Sequence, residues 1–195
     1  NVIFDLRLNL CLTLCAVLGW GDNLFIYLFL SRLLFVKFSD TIMLMTNQPT
    51  ICAIAAIGPD NVIGRDGVMP WHCPSDLYHF HKTTTPYPCI FGRTTFENLP
   101  RRPLLGRPNF VCSSQYKNEY IDDVFYADSI DAALNQCSKY NQIFICGGAQ
   151  IYKYAFDNDL IDVFYLTIIK NQVLESEILK NPGAYCRFPI DVSKL

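Results

Sequence analysis

The feature that most limits what this chain can become is a series of short apolar runs, each closed by glycine, proline or polar residues. Ile51–Ile57, Cys89–Phe91, Asn109–Cys112, Ile143–Cys146 and Val163–Ile169 all have strand length. A run that is apolar at nearly every position suits a strand covered on both faces. Helical patterns lie between them. Pro74-Ser75-Asp76 reads as a helix start with Ser75 as cap, running to about Thr83, and Ser129–Tyr140 has Ile130, Ala133, Leu134 and Cys137 on one face. A second helix follows Gly92, and Gln150–Phe156 is a short one. The turn Gly58-Pro59-Asp60-Asn61 opens a loop containing Gly64, Gly67 and Pro70. Strands alternating with helices predict a single α/β domain with a central, mostly parallel but mixed sheet flanked by helices.

Composition narrows the function. Of 195 residues 51% are hydrophobic and 17% charged, with a formal net charge of −2, so a disordered chain or a nucleic-acid binder with a basic surface is a poor fit. The nine cysteines are odd in number and none forms a C-x-x-C pair, which favours reduced thiols in a cytoplasmic protein over a disulfide framework or a structural zinc. Residues 1–42 differ in kind from the rest. Leu8–Trp20 and Leu24–Phe38 are apolar runs broken by Gly21-Asp22-Asn23, and each is short of the roughly 20 residues a spanning helix needs. We read 1–42 as a hydrophobic extension outside the fold, with Met43 or Met45 as the start and residues 50–195 as the domain. A genuine membrane or targeting segment at 8–38 is the alternative.

Ligands of open α/β sheets bind beyond the carboxyl ends of the strands. One such end opens into Gly92-Arg93-Thr94-Thr95, another into Ser113-Ser114-Gln115, and a third into Gly147-Gly148-Ala149-Gln150. Hydroxyls, a cation and side-chain-free backbone on one edge suit a ligand with several phosphates, such as a dinucleotide, although G-x-G-x-x-G is absent. Asp76 lies one helical turn before Phe80 and shortly after Trp71, so it either faces an apolar cavity or is a helix-start aspartate stabilised by the helix dipole. His79 and His81 sit two apart on a helix and diverge, so no metal site is expected from them, Cys73 and His72.

Several ordered motifs carry a family resemblance. Ile54-Ala55-Ala56, Val62-Ile63-Gly64, Met69-Pro70-Trp71, Pro74-Ser75-Asp76-Leu77 and Phe80 resemble the amino-terminal block of the dihydrofolate reductases. Gly92-Arg93-Thr94-Thr95-Phe96-Glu97, Pro103 to Asn109, Gly147-Gly148-Ala149-Gln150-Ile151-Tyr152, Tyr165-Leu166-Thr167 and Phe188-Pro189 follow in the family's order. The resemblance implies reduction of 7,8-dihydrofolate to tetrahydrofolate, with hydride passing from NADPH to C6 and a proton reaching N5.

It also implies roles. Asp76 would hydrogen-bond the pterin's amidine-like edge, either donating the proton or orienting a water that does. Trp71 would help hold that water, and Thr167 would complete the polar contacts. Ile54, Met69, Phe80 and Leu104 would wall the rings, and Arg107 would pair with the α-carboxylate of the glutamate tail. Ala56 and Ile63 would flank the nicotinamide, with Gly64 beside them in a loop, Gly58 to Cys73, that closes over it. Arg93, Thr94, Thr95, Ser113, Ser114 and Gln115 would meet the pyrophosphate and 2′-phosphate. Gly147, Gly148, Ala149, Gln150, Ile151 and Tyr152 would form the segment packed on the cofactor, in which the family uses a cis Gly-Gly bond. Antifolate inhibitors are expected, and the chain is expected to act as a cytoplasmic monomer.

The sequence departs from the family in places. Pro100-Arg101-Arg102-Pro103 holds an extra residue, and Ala184-Tyr185-Cys186 replaces the usual Gly-Asp-Thr before Phe-Pro. The family's carboxyl-terminal antiparallel hairpin is missing before Leu195, as in a truncated or fragmentary sequence. Two other readings are a non-catalytic, incomplete copy of the fold and a riboflavin-pathway reductase of the same fold.

Overall fold

The computed structural model describes residues 2–5, 48–116 and 118–192. In chain order the strands are β1 (Val2–Asp5), β2 (Thr50–Ile57), β3 (Val62–Arg65), β4 (Cys89–Gly92), β5 (Asn109–Cys112), β6 (Glu119–Ile121), β7 (Val124–Ala127), β8 (Gln142–Ile145), β9 (Val163–Ile168) and β10 (Tyr185–Arg187). The helices are α1 (Pro74–Thr84), α2 (Arg93–Glu97), α3 (Ile130–Cys137), α4 (Ala149–Asp157) and α5 (Gln172–Lys180). The main sheet has the order β1-β9-β2-β8-β4-β5-β7-β6. β2 pairs in parallel with both β8 and β9, and the β8-β4-β5-β7 ladder continues in parallel. β6 turns back antiparallel on β7, which makes the sheet mixed as expected.

The apolar runs are covered on both faces. Cys52, Ile54, Cys89, Phe91, Val111 and Phe144 point to one side, where Phe80 of α1 and Leu104 close the layer. Ile90, Phe110, Phe125 and Ile143 point to the other side, under Ala133 and Cys137 of α3. Strand residues alternate between these two layers, so the strand runs carry almost no polar side chains.

Several local expectations need correcting. Helix α1 begins at Pro74 with Cys73 as the cap residue, two positions before Ser75. A proline at the first helical position has its φ pre-set and lacks the N–H that would need a cap. Helix α3 is shorter than Ser129–Tyr140, but Ser129 does cap it, its hydroxyl accepting from the Ala132 amide at 3.2 Å. The segment read as a loop around Gly64 contains β3, which pairs antiparallel with β10, Tyr185 opposite Arg65 and Cys186 opposite Gly64. Helix α5, capped by the Asn171 side chain on the Leu174 amide, and the β6–β7 hairpin have no counterpart in the sequence reading. That hairpin turns on Asp122 and Asp123, both at positive φ, a conformation aspartate tolerates without glycine.

Val2–Asp5, at the head of the extension placed outside the fold, forms the sheet's edge strand beside β9. An open β9 edge presents unpaired backbone groups, and pairing with β1 satisfies them. The expected apolar segment 8–38 lies outside the described residues. Among the described residues no helix is long and apolar enough to cross a membrane.

Candidate active site

A groove of about 290 Å³ opens between α1 and the chain that leads from α2 into β5. Leu77, Phe80 and His81 line it from α1, and Leu99, Pro100, Arg101, Leu104 and Arg107 line it from the opposite side. The opposite wall is held by Asn109, which is buried at the start of β5. Its side-chain oxygen accepts from the Leu104 amide, and its nitrogen donates to the carbonyls of Leu104 and Arg107, all at 2.9 Å. Gly106, at φ +75, makes the bend inside that clamp, a conformation that a side chain would strain.

Arg107 is 9% exposed. Its Nη1 donates to the hydroxyl of Thr84, its Nη2 lies 2.6 Å from Nδ1 of His81, and its guanidinium sits 5.8 Å from the Phe80 ring centre. Among the described residues none of these partners is a carboxylate. A buried guanidinium normally has an anionic partner, so this one is suited to an anion brought by a ligand. The sequence reading selected Arg107, Phe80 and Leu104 and missed Thr84 and His81. Nothing local marks those two, because they meet Arg107 across 23 and 26 residues.

At the other end of α1 lies Asp76, half-buried in the first turn. Its charge acts on the buried phenol of Tyr152, whose hydroxyl donates to the Ile54 carbonyl at 2.6 Å. Burial raises the Tyr152 pKa well above the ordinary phenol value, and the neighbouring Cys146 and Asp76 push it the same way. Ile54 of β2 and Tyr152 of α4 are thus joined, and the Asp76 charge reaches that phenol. Thr167 sits on β9 directly beside Ala56 in the β2–β9 register. Trp71 packs its ring so tightly on Gly58 that a Cβ there would come within 2.8 Å of it. The Trp71 indole N–H is buried and has no hydrogen-bond partner among the described residues. Met69, in contrast, is 45% exposed.

The three strand ends chosen for phosphates lie at one edge of the sheet. Gly92 ends β4, and its amide donates to the Gly147 carbonyl at 2.7 Å, stitching that end to the end of β8. The Gly147–Gly148 peptide is cis, and Gly147 has φ +114. A Cβ on Gly148 would lie 2.8 Å from the Thr95 hydroxyl, so only glycine lets the two chains approach this closely. Gly148 heads α4 without a side-chain cap, which leaves the helix's first N–H groups free for an anion. Arg93 is held by Glu97 through bonds of 3.0 and 2.9 Å, an i,i+4 pair legible in the sequence spacing. Thr94, Ser114 and Gln115 are exposed, and Thr95 and Ser113 half-buried. Ala149, Gln150 and Ile151 form the first turn of α4, and the Ile151 side chain lies against Gly92.

The β3–β10 ribbon flanks this region and carries Ile63 and Gly64. Asp60 pairs with Arg187 at 2.6 and 3.0 Å, and the Phe188 amide donates to the Asn61 carbonyl at 2.7 Å. Phe188 then stacks on Phe164 of β9, their centres 5.4 Å apart. Tyr185, in the stretch where the sequence departs from the family pattern, is buried against Val62, Leu174 and Ile178. The start of the Gly58 to Cys73 segment is therefore held by residues far along the chain. No group of histidine, cysteine or acidic side chains among the described residues could hold a metal ion.

A sequence model of the family described as dihydrofolate reductase matches residues 50–181. The dihydrofolate reductase type 3 of Salmonella typhimurium is 41% identical, over 63% of this chain and 74% of its own length. The dihydrofolate reductase of Candida albicans is 34% identical, over 74% of this chain and 80% of its own. Among solved structures, the dihydrofolate reductase of Enterococcus faecalis, complexed with NADP(H) and RAB-propyl, superposes with a TM-score of 0.58 and 32% identity, covering 64% of this chain and 73% of that one. With the strand order, the groove beside α1 and the stitched glycine pair, these matches establish that the chain belongs to the dihydrofolate reductase family.

Proposed function

We propose that this chain reduces 7,8-dihydrofolate to 5,6,7,8-tetrahydrofolate, adding a hydride at C6 and a proton at N5. The observation that carries this reading is Arg107, a buried cation with no carboxylate partner among the described residues, in an apolar groove beside the helix whose first turn carries Asp76. Eight residues of helix separate Asp76 from Thr84, a span of roughly 12 Å at 1.5 Å per residue. That suits an elongated ligand with a hydrogen-bonding ring at one end and a carboxylate at the other.

NADPH fits the edge described above, where Arg93, Thr94, Thr95, Ser113, Ser114 and Gln115 offer cationic and hydroxyl contacts and Gly148 leaves room for close approach. When bound there it supplies the hydride. The chain's own residues do the rest. Asp76 accepts from the donors on the pterin's amidine-like edge and fixes which ring face is presented. Its negative charge also stabilises the positive charge that builds as N5 is protonated. The orphan N–H of Trp71 is a donor for a water on the proton's route. Ile54, Phe80 and Leu104 wall the rings and exclude bulk water. Ala56 and Ile63 flank the reacting carbon, with Thr167 beside Ala56.

The same reading makes the chain a cytoplasmic monomer that antifolates inhibit and that binds no nucleic acid. The test is dihydrofolate-dependent NADPH oxidation by the chain and by Asp76→Asn. The variant is expected to lose about 10²–10³ in kcat at neutral pH while keeping its melting temperature. An unchanged rate would remove Asp76 from the chemistry, and a folded wild-type chain with no activity would refute the function.

A further inference from the structure

Arginine has five N–H donors and no acceptor, so Nδ1 of His81, 2.6 Å from Arg107 Nη2, must be the acceptor and the ring proton must sit on Nε2. The remaining contacts of Arg107 account for two more donors: Nε points to the Leu105 carbonyl at 3.4 Å, and one N–H of Nη1 goes to Thr84. One N–H on Nη1 and one on Nη2 are left. Two such N–H groups on neighbouring nitrogens of one rigid plane can take both oxygens of a carboxylate at once when that plane is correctly turned. Thr84 is itself fully buried and bonded to the Phe80 carbonyl at 2.8 Å. His81 is the second tether, and without it the guanidinium plane can rotate about its Thr84 contact.

We propose that His81 is a positioning residue for the carboxylate site. It fixes the plane of Arg107 so that the remaining N–H groups are presented to the groove, and it selects for ligands that end in a carboxylate. This rests on the dihydrofolate reading above. Two variants and two ligands test it by calorimetry. His81→Leu removes the acceptor, whereas His81→Asn keeps one, because its side-chain oxygen is bonded to Cγ just as Nδ1 is. The ligands are dihydrofolate, which carries the tail carboxylates, and a 2,4-diaminopyrimidine that has none. We expect His81→Leu to weaken dihydrofolate about tenfold, to leave the diaminopyrimidine within about twofold, and His81→Asn to recover most of the loss. Equal weakening of both ligands would assign His81 a merely structural role, and unchanged dihydrofolate affinity would show that Arg107 needs no second tether. Either result overturns the inference while the wild-type activity stands. A wild-type chain that bound no dihydrofolate would overturn the functional reading and this inference together.

Discussion

Replacing Arg107 by leucine separates binding from stability in a way few substitutions do. In the free protein the guanidinium is buried, and its described partners are a hydroxyl, an imidazole nitrogen and a carbonyl oxygen, with no carboxylate among them. Burial of a charge without a counter-ion costs several kcal/mol, which its hydrogen bonds only partly offset. Leucine ends at Cδ, three bonds short of the terminal guanidinium nitrogens, so the packing it gives up offsets part of the relieved desolvation, and Thr84 would keep its bond to the Phe80 carbonyl. Folding stability should therefore stay within about 1 kcal/mol of the parent or rise, as happens when isolated buried charges are replaced by apolar groups. Binding should behave oppositely. Two charge-assisted hydrogen bonds to a carboxylate, at about 1.5–3 kcal/mol each, amount to about 3–5 kcal/mol after some relaxation. At 1.4 kcal/mol per decade that is a rise of about 10² to a few times 10³ in the KM for dihydrofolate. The assay is steady-state NADPH oxidation over a dihydrofolate series, with thermal melts of both proteins. An Arg107→Leu protein with an unchanged KM would refute the carboxylate site, and one that melted far lower would show that Arg107 serves the fold.

Other consequences follow from the same geometry. Gly148→Ala puts a Cβ 2.8 Å from the Thr95 hydroxyl, and should cost about 1–3 kcal/mol of stability and weaken NADPH binding. Adding Thr95→Ala should recover most of the stability, measured by denaturant melts as a double-mutant cycle, and no recovery would place the clash elsewhere. Burial pushes the Cys112 thiol from 9.0 up to about 12. Above pH 9 the unfolded chain releases this proton while the folded chain keeps it, so stability should fall as pH rises from 9 towards 12. Cys112→Ser should flatten that alkaline decline in urea melts taken across the window.

The parts of the fold legible in sequence were those set by local pattern. The strand runs around Ile51–Ile57, Cys89–Phe91 and Val163–Ile169 are apolar because each is covered on both faces, and their boundaries fall within a residue or so of β2, β4 and β9. The phosphate-suited residues were visible for the same reason, since Arg93, Thr95, Gly147 and Gly148 directly follow strands and inherit their position from them. What escaped was held by distant partners. β3 has only four residues, and its antiparallel mate β10 lies about 120 residues along the chain, so no periodic signal marks it. Helix α5 buries Leu174 and Ile178 against Val62 and Tyr185, and the amphipathic pattern of so short a helix is ambiguous until that surface exists.

The candidate site divides along the same line. Sequence alone determined the chemistry on offer, a carboxylate at a helix start, an arginine in a turn and glycines at a strand end, because each belongs to a contiguous motif. Only the tertiary structure decided that Arg107 would be buried against Thr84 and His81, and that the Tyr152 hydroxyl would reach the Ile54 carbonyl. It alone decided, too, that the amide of Gly92 would join the end of β4 to that of β8. The physical reason is that hydrogen bonds and burial depend on distance in space, and a motif specifies neighbours only along the chain.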